Sequence, residues 1–152
     1  MMHIKPLDPL SAPAAHLLAL SDAYMASLYP AESNHMESPD ALALPNVLFL
    51  GAYQDGELAG CGAVKIMSDD GLYGEVKRVY VLEAFRGRGL SKQLMLALET
   101  HLKEQKVPLA RLETGISQPE ALALYEKLGY QYRLPFASYE LDPLSVFMEK
   151  TL

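Results

Sequence analysis

The apolar positions of this chain fall into two rhythms. Leu17, Leu20, Tyr24 and Leu28 recur at spacings of three and four, which predicts one apolar face on a helix over residues 12–28. Ser11 reads as its N-cap, and Pro13 sits in the first turn, where a missing N–H costs little. The clearest helical pattern lies at 90–105. Leu90, Leu94, Leu98 and Leu102 recur every four residues beside Ala97, while Lys92, Gln93, Glu99, Lys103 and Glu104 fall off that stripe. Another helix is announced by Ser117-Gln118-Pro119-Glu120: Ser117 and Glu120 have capping-box spacing, Pro119 takes the first helical position, and Gly129 is placed to stop the helix in a left-handed conformation. Ser38-Pro39-Asp40 caps a short helix that ends before Pro45.

The second rhythm predicts strands at 3–7, 47–53, 58–67, 72–82, 109–114, 130–134 and 145–150. Asp55-Gly56 is the turn signal of a hairpin joining the second and third of these, and Gly60 and Gly62 mark a bulge or a close backbone approach. Antiparallel hairpins in the middle of a chain with helices on either side predict an α+β fold in one domain spanning 1–152.

With 152 residues, half of them hydrophobic and 21% charged, the chain can build a real core and is not a disordered polymer. The net charge of −6 disfavours nucleic acid and anionic membrane as partners. No apolar stretch approaches a membrane span or the core of an export signal, and Cys61 is the only cysteine, so a cytoplasmic protein with neither disulfide nor metal site is expected. His3, His16 and His101 have no site context.

The chemistry concentrates in Val79-Tyr80-Val81-Leu82-Glu83-Ala84-Phe85-Arg86-Gly87-Arg88-Gly89-Leu90-Ser91. An apolar strand runs into a basic, glycine-containing loop that opens the best helix. Free N–H groups at a helix start, backed by the dipole and by Arg86 and Arg88, make an anion site suited to a diphosphate. The plainer alternative is a strand-to-helix turn with two solvated arginines. Neither the Walker pattern nor the dinucleotide G-x-G-x-x-G pattern is present.

The loop does resemble the acyl-CoA loop of the GNAT superfamily, the Gcn5-related N-acetyltransferases, written Arg/Gln-x-x-Gly-x-Gly/Ala. Here it reads Arg86-Gly87-Arg88-Gly89-Leu90-Ser91, with Ser91 a mild departure. The stretch from Gln118 through Ala121, Leu124-Tyr125 and Gly129-Tyr130 is similar to the family's N-x-x-A-x-x-L-Y-x-x-x-G-F helix, with Gln118 for Asn and Tyr130 for Phe. The resemblance spans roughly residues 47–150. It implies a central mixed, mostly antiparallel sheet of six to seven strands flanked by about four helices.

The resemblance further implies acetyl-CoA as co-substrate and no metal. Backbone amides of Arg86, Gly87, Arg88, Gly89, Leu90 and Ser91 would hold its pyrophosphate, and the pantetheine arm would run along Val79, Tyr80 and Val81, with Gln118 and Tyr125 on the facing helix. Tyr125 matches the tyrosine that often protonates the leaving thiolate. Glu75 stands where some members place the base that deprotonates the acceptor; Glu83 is a second candidate. Alternation puts Glu75, Lys77 and Val79 on one strand face and Val76, Arg78 and Tyr80 on the other. The acceptor side would be the loop from Tyr29 to Glu37, with Glu32, Asn34 and His35, and the loop from Pro135 to Pro143, with Tyr139, Glu140 and Asp142.

Direct acetyl transfer to a primary amine of a small molecule, peptide or protein is therefore expected, without a covalent intermediate, since Cys61 has no histidine at a recognisable spacing. The alternatives are an acyl-CoA-binding sensor, an inactive module of this fold, or a domain with no ligand. The resemblance also allows a homodimer.

Overall fold

Asp55 and Gly56 both take positive φ, 50° and 86°, the mirror-image turn whose twist matches a right-handed hairpin. That turn joins the two strands of the sheet's longest antiparallel ladder, and the rest of the fold is laid around them. In the computed structural model, which describes residues 1–34 and 36–152, the chain order is β1 (Met2–Pro6), α1 (Ala12–Leu28), α2 (Pro39–Leu42), β2 (Val47–Gln54), β3 (Glu57–Met67), β4 (Tyr73–Val81), α3 (Leu90–Glu104), β5 (Leu109–Gly115), α4 (Pro119–Lys127), β6 (Gln131–Arg133) and β7 (Ser145–Thr151). The described residues form one seven-stranded sheet in the order β1-β2-β3-β4-β5-β7-β6. Only β4 and β5 are parallel, as the α3 crossover between them requires.

The two sheet faces are covered by different helices. On one side α1 and α2 bring Ala14, Leu17, Leu18 and Leu42 onto Phe49, Cys61 and Ala63. On the other, α3 buries Leu90, Leu94, Met95, Leu98 and Leu102 against Leu50, Val64, Val76 and Leu112. Each such leucine is worth about 1.5–3 kcal/mol relative to leaving it in water, so the helix that carries the basic loop is firmly seated.

The local signals hold with instructive exceptions. Ser38 accepts the Ala41 N–H at 3.2 Å and caps α2. Gly129 takes φ 99° just beyond α4. In α1 the buried stripe is Ala14, Leu17, Leu18 and Ser21, and Leu20 is turned outward, because Leu18 rather than Leu20 lies on the sheet side of Leu17. Ser11 is the N-cap by backbone only; its hydroxyl donates to Asp8 O instead. Glu99 is buried, not exposed, because Tyr130 and Lys150 both donate to its carboxylate at 2.8 Å. The capping box at Ser117 does not form. Gln118 is the N-cap of α4, and the Ser117 N–H is donated to the Tyr29 hydroxyl.

One irregularity shapes the site. Ala63 pairs with Lys77 and Cys61 with Tyr80, so two residues of β4 oppose Gly62 alone. Arg78 takes φ 57° in this bulge. Strict alternation therefore fails. Val79 turns to the α3 face, where a Cβ on Gly62 would meet it at 3.3 Å, and Tyr80 moves to the face of Glu75 and Lys77.

Candidate active site

Strands β4 and β5 pair only through Gly74–Val76 and Ala110–Leu112. Beyond that point the strands part, and a cleft with a cavity of about 80 Å³ opens between them. It is walled by β4 from Glu75 to Tyr80, by Glu113–Gly115, and by Gln118 and Tyr125. A wider cavity of about 550 Å³ adjoins it, lined by Glu32, Asn34, Glu37 and the 137–142 loop. Met36, Glu75, Lys77 and Tyr139 line both, and so form the partition between them.

The partition is a charge cluster. Glu75 is only 3% exposed. Its Oε2 accepts from the Tyr139 hydroxyl at 2.6 Å and pairs with Lys77 Nζ at 3.1 Å. Lys77 Nζ also reaches Glu37 at 2.9 Å and donates to the Tyr139 oxygen at 3.0 Å. Burial alone would discharge Lys77, but Glu75, Tyr139 and Glu37 more than offset it, and its pKa lies above the ordinary lysine value. Burial likewise works to raise Glu37, and the Lys77 hydrogen bond and charge outweigh it, leaving that carboxyl below its usual range. Burial and the neighbouring Glu75 push Tyr139 upward. The cluster thus sets the Glu37 carboxylate, the Lys77 ammonium and a neutral Tyr139 phenol around Glu75.

Tyr125 faces this strand from α4. It is buried, and its hydroxyl bonds to no other described residue. Burial pushes it up to about 12, with Glu113 adding to the shift. Tyr29, at the C-cap of α1, pins the start of the same helix: its hydroxyl accepts the Ser117 N–H at 3.0 Å and donates to Gln118 Oε1 at 3.2 Å. Only glycine fits beneath it at 115, since a Cβ there would stand 1.9 Å from that oxygen.

At the far end of β4 the basic loop leads into α3. Gly87 and Gly89 take φ 80° and 79°, and Gly89 is the N-cap, so no side chain caps the helix and its first N–H groups face outward. Leu90 is buried, as are the side chains of the strand end at Val81; their contribution here is backbone. Arg86 is turned back from the loop. Its Nε donates to Val81 O at 3.0 Å, and its guanidinium lies 5.1 Å from the Tyr24 ring and 5.7 Å from Tyr80. Arg88 lies over Phe85, and Ser91 is half-buried in the first turn. Both arginines are exposed and keep their charge, each beside aromatic rings.

The acceptor-side candidates divide. Tyr139 reaches the site. Tyr29 lines the cleft from the C-cap of α1, held there by its bonds to Ser117 and Gln118. Asn34 spends its amide on Tyr29 O and Pro30 O, and Glu32 is exposed on the rim. His35 lies outside the described residues. Ser33 ties this loop to the other one by donating to Asp142 at 2.6 Å. Glu83 is exposed on a 3₁₀ turn, away from the cluster. Lys77 and Glu37 were not picked out by sequence as site residues. The signal available was Lys77 two places beyond Glu75 on the same strand face; nothing local marked Glu37 as its partner.

The acetyltransferase (GNAT) family profile matches residues 16–130. The chain is 42% identical over 145 residues to an IAA acetyltransferase of Azospirillum brasilense, covering 95% of this chain and 94% of that protein. A Klebsiella pneumoniae structure described as an acyl-CoA N-acyltransferase superposes with a TM-score of 0.85 at 39% identity, covering 100% of this chain and 98% of that one. The PaiA N-acetyltransferase of Thermoplasma acidophilum, solved with coenzyme A, shares the fold at a TM-score of 0.77 and 21% identity over 100% of this chain and 99% of that one. The chain belongs to the GNAT family of acetyltransferases, and its mixed seven-stranded sheet with four helices is the fold of that family.

Proposed function

We propose that the chain moves the acetyl group of acetyl-CoA directly onto a primary amine of a small molecule or peptide. The observation that carries this reading is the parting of β4 and β5, which sets Glu75 and Tyr125 on the walls of one cleft; the far end of β4 leads through the basic loop to an uncapped helix start. Backbone N–H groups of Arg86–Ser91 suit the CoA diphosphate. The Klebsiella neighbour, described as an acyl-CoA N-acyltransferase, and the Thermoplasma neighbour, solved with coenzyme A, support the same ligand. Glu75 takes a proton from the incoming ammonium, and Tyr125 gives one to the departing thiolate. With its pKa near 12, Tyr125 keeps that proton at any physiological pH. An acyl-enzyme is disfavoured: Cys61 is buried, its thiol is pushed up to about 12 by burial, and it donates to Arg78 O.

The test is thiol release from acetyl-CoA in the presence of four amines: an aliphatic diamine, an arylalkylamine, an α-amino acid and a peptide with a free N-terminus. Release with at least one is expected. Tyr125→Phe should lower kcat by about tenfold to a hundredfold at an unchanged KM for acetyl-CoA, since only the transition-state contact is lost. No release with any of the four would contradict the reading.

A further inference from the structure

We propose that Tyr139 is the group that touches the acceptor amine and relays its proton to Glu75. The inference rests on the reading of Glu75 as base, and adds the residue through which that base acts. Glu75 is 3% exposed, and its Oε2 is already engaged by the Tyr139 hydroxyl, which donates to it at 2.6 Å. Tyr139, like Glu75, lines both the cleft and the wider acceptor-side cavity, so an amine arriving from the wider side meets the hydrogen-bonded pair at the partition.

The charges agree with that assignment. Glu75, Glu37 and Lys77 sum to −1, which favours an ammonium at the partition before the proton moves. Lys77 Nζ, 3.0 Å from the phenol oxygen, lowers the cost of negative charge on that oxygen during transfer. In the step itself an amine N–H bond breaks and a bond forms from that hydrogen to the Tyr139 oxygen. The phenol's own hydrogen passes to Glu75 Oε2. Tyr139 ends neutral, Glu75 ends as a neutral acid, and the amine is left with the lone pair that attacks the thioester. The Glu75 proton returns to solvent after product leaves. The ring is held for this by Phe136 and Phe147, with centroids 5.3 and 5.5 Å away.

The experiment compares Tyr139→Phe, Glu75→Gln and the double variant, using whichever of the four amines above the wild type acetylates fastest. Tyr139→Phe keeps the ring and its packing, and thermal melting checks that all three variants fold. Each single change should lower kcat by about a hundredfold or more, with acetyl-CoA affinity unaltered. The double variant should fall no further than about threefold below the slower single, because the two groups serve one proton. A Tyr139→Phe rate within about threefold of wild type, with Glu75→Gln inactive, overturns the relay and leaves Glu75 as base. Multiplying losses in the double variant overturn it as well. A Glu75→Gln enzyme as fast as wild type removes the base reading, and the relay with it.

Discussion

Glu75→Gln should lower kcat by about a hundredfold to ten-thousandfold while leaving acetyl-CoA binding intact. The amide is nearly isosteric and still accepts a hydrogen bond from Tyr139, but it cannot take a proton. It also removes one of the two carboxylates that hold Lys77. Glu37 remains at 2.9 Å, so the ammonium is not left unpaired, and the fold should survive with a modest loss of about 1–3 kcal/mol. Steady-state rates with the responsive amine, read beside thermal melting, separate the two effects. A rate within a few fold of wild type would show that the acceptor loses its proton elsewhere.

Gly89→Glu should abolish stabilisation by acetyl-CoA. Gly89 sits at φ 79° as the N-cap of α3, a conformation that costs an L residue about 1–2 kcal/mol. A Cβ there meets nothing within 4 Å, so the substitution does not disturb the core. What it does is place a carboxylate at the helix start, where the diphosphate is proposed to lie. Acetyl-CoA at one hundred times its dissociation constant should add about 2.7 kcal/mol to the wild type, a rise of several degrees in melting temperature for a domain of this size. The variant should melt a little lower than wild type without ligand and show no rise with it. An equal rise in both proteins would move the CoA site away from the loop.

The parts of this fold readable in the sequence were those governed by local chemistry. Asp55-Gly56 demands a mirror-image turn, Gly129 ends a helix in a left-handed residue, and the four leucines of α3 leave only one face to bury. The shape of the loop Arg86–Ser91 was legible because glycines at both positive-φ positions precede a helix whose start no side chain caps. What failed depended on partners distant in the chain. Ser117 has the spacing of a cap, yet Tyr29, 88 residues away, takes its N–H. Alternation along β4 broke at Arg78, whose left-handed backbone is set by the pairing with β3 and by Asp22 and Leu18 O of α1 holding its guanidinium. Nothing local announces that Arg86 lies beside the Tyr24 and Tyr80 rings and donates to Val81 O. The Glu37–Lys77–Glu75–Tyr139 cluster joins three segments that no short window contains.

Mass spectrometry of a single turnover tests the central claim most directly. The wild-type protein is mixed with acetyl-CoA, its intact mass is taken, and the responsive amine is then added. Direct transfer predicts an unmodified protein before the amine is added, and afterwards one acetylated amine for each CoA freed. An acetyl group found on the protein before the amine arrives, and passed on when it does, would contradict direct transfer. CoA freed with no acetylated amine would contradict the acyltransferase itself.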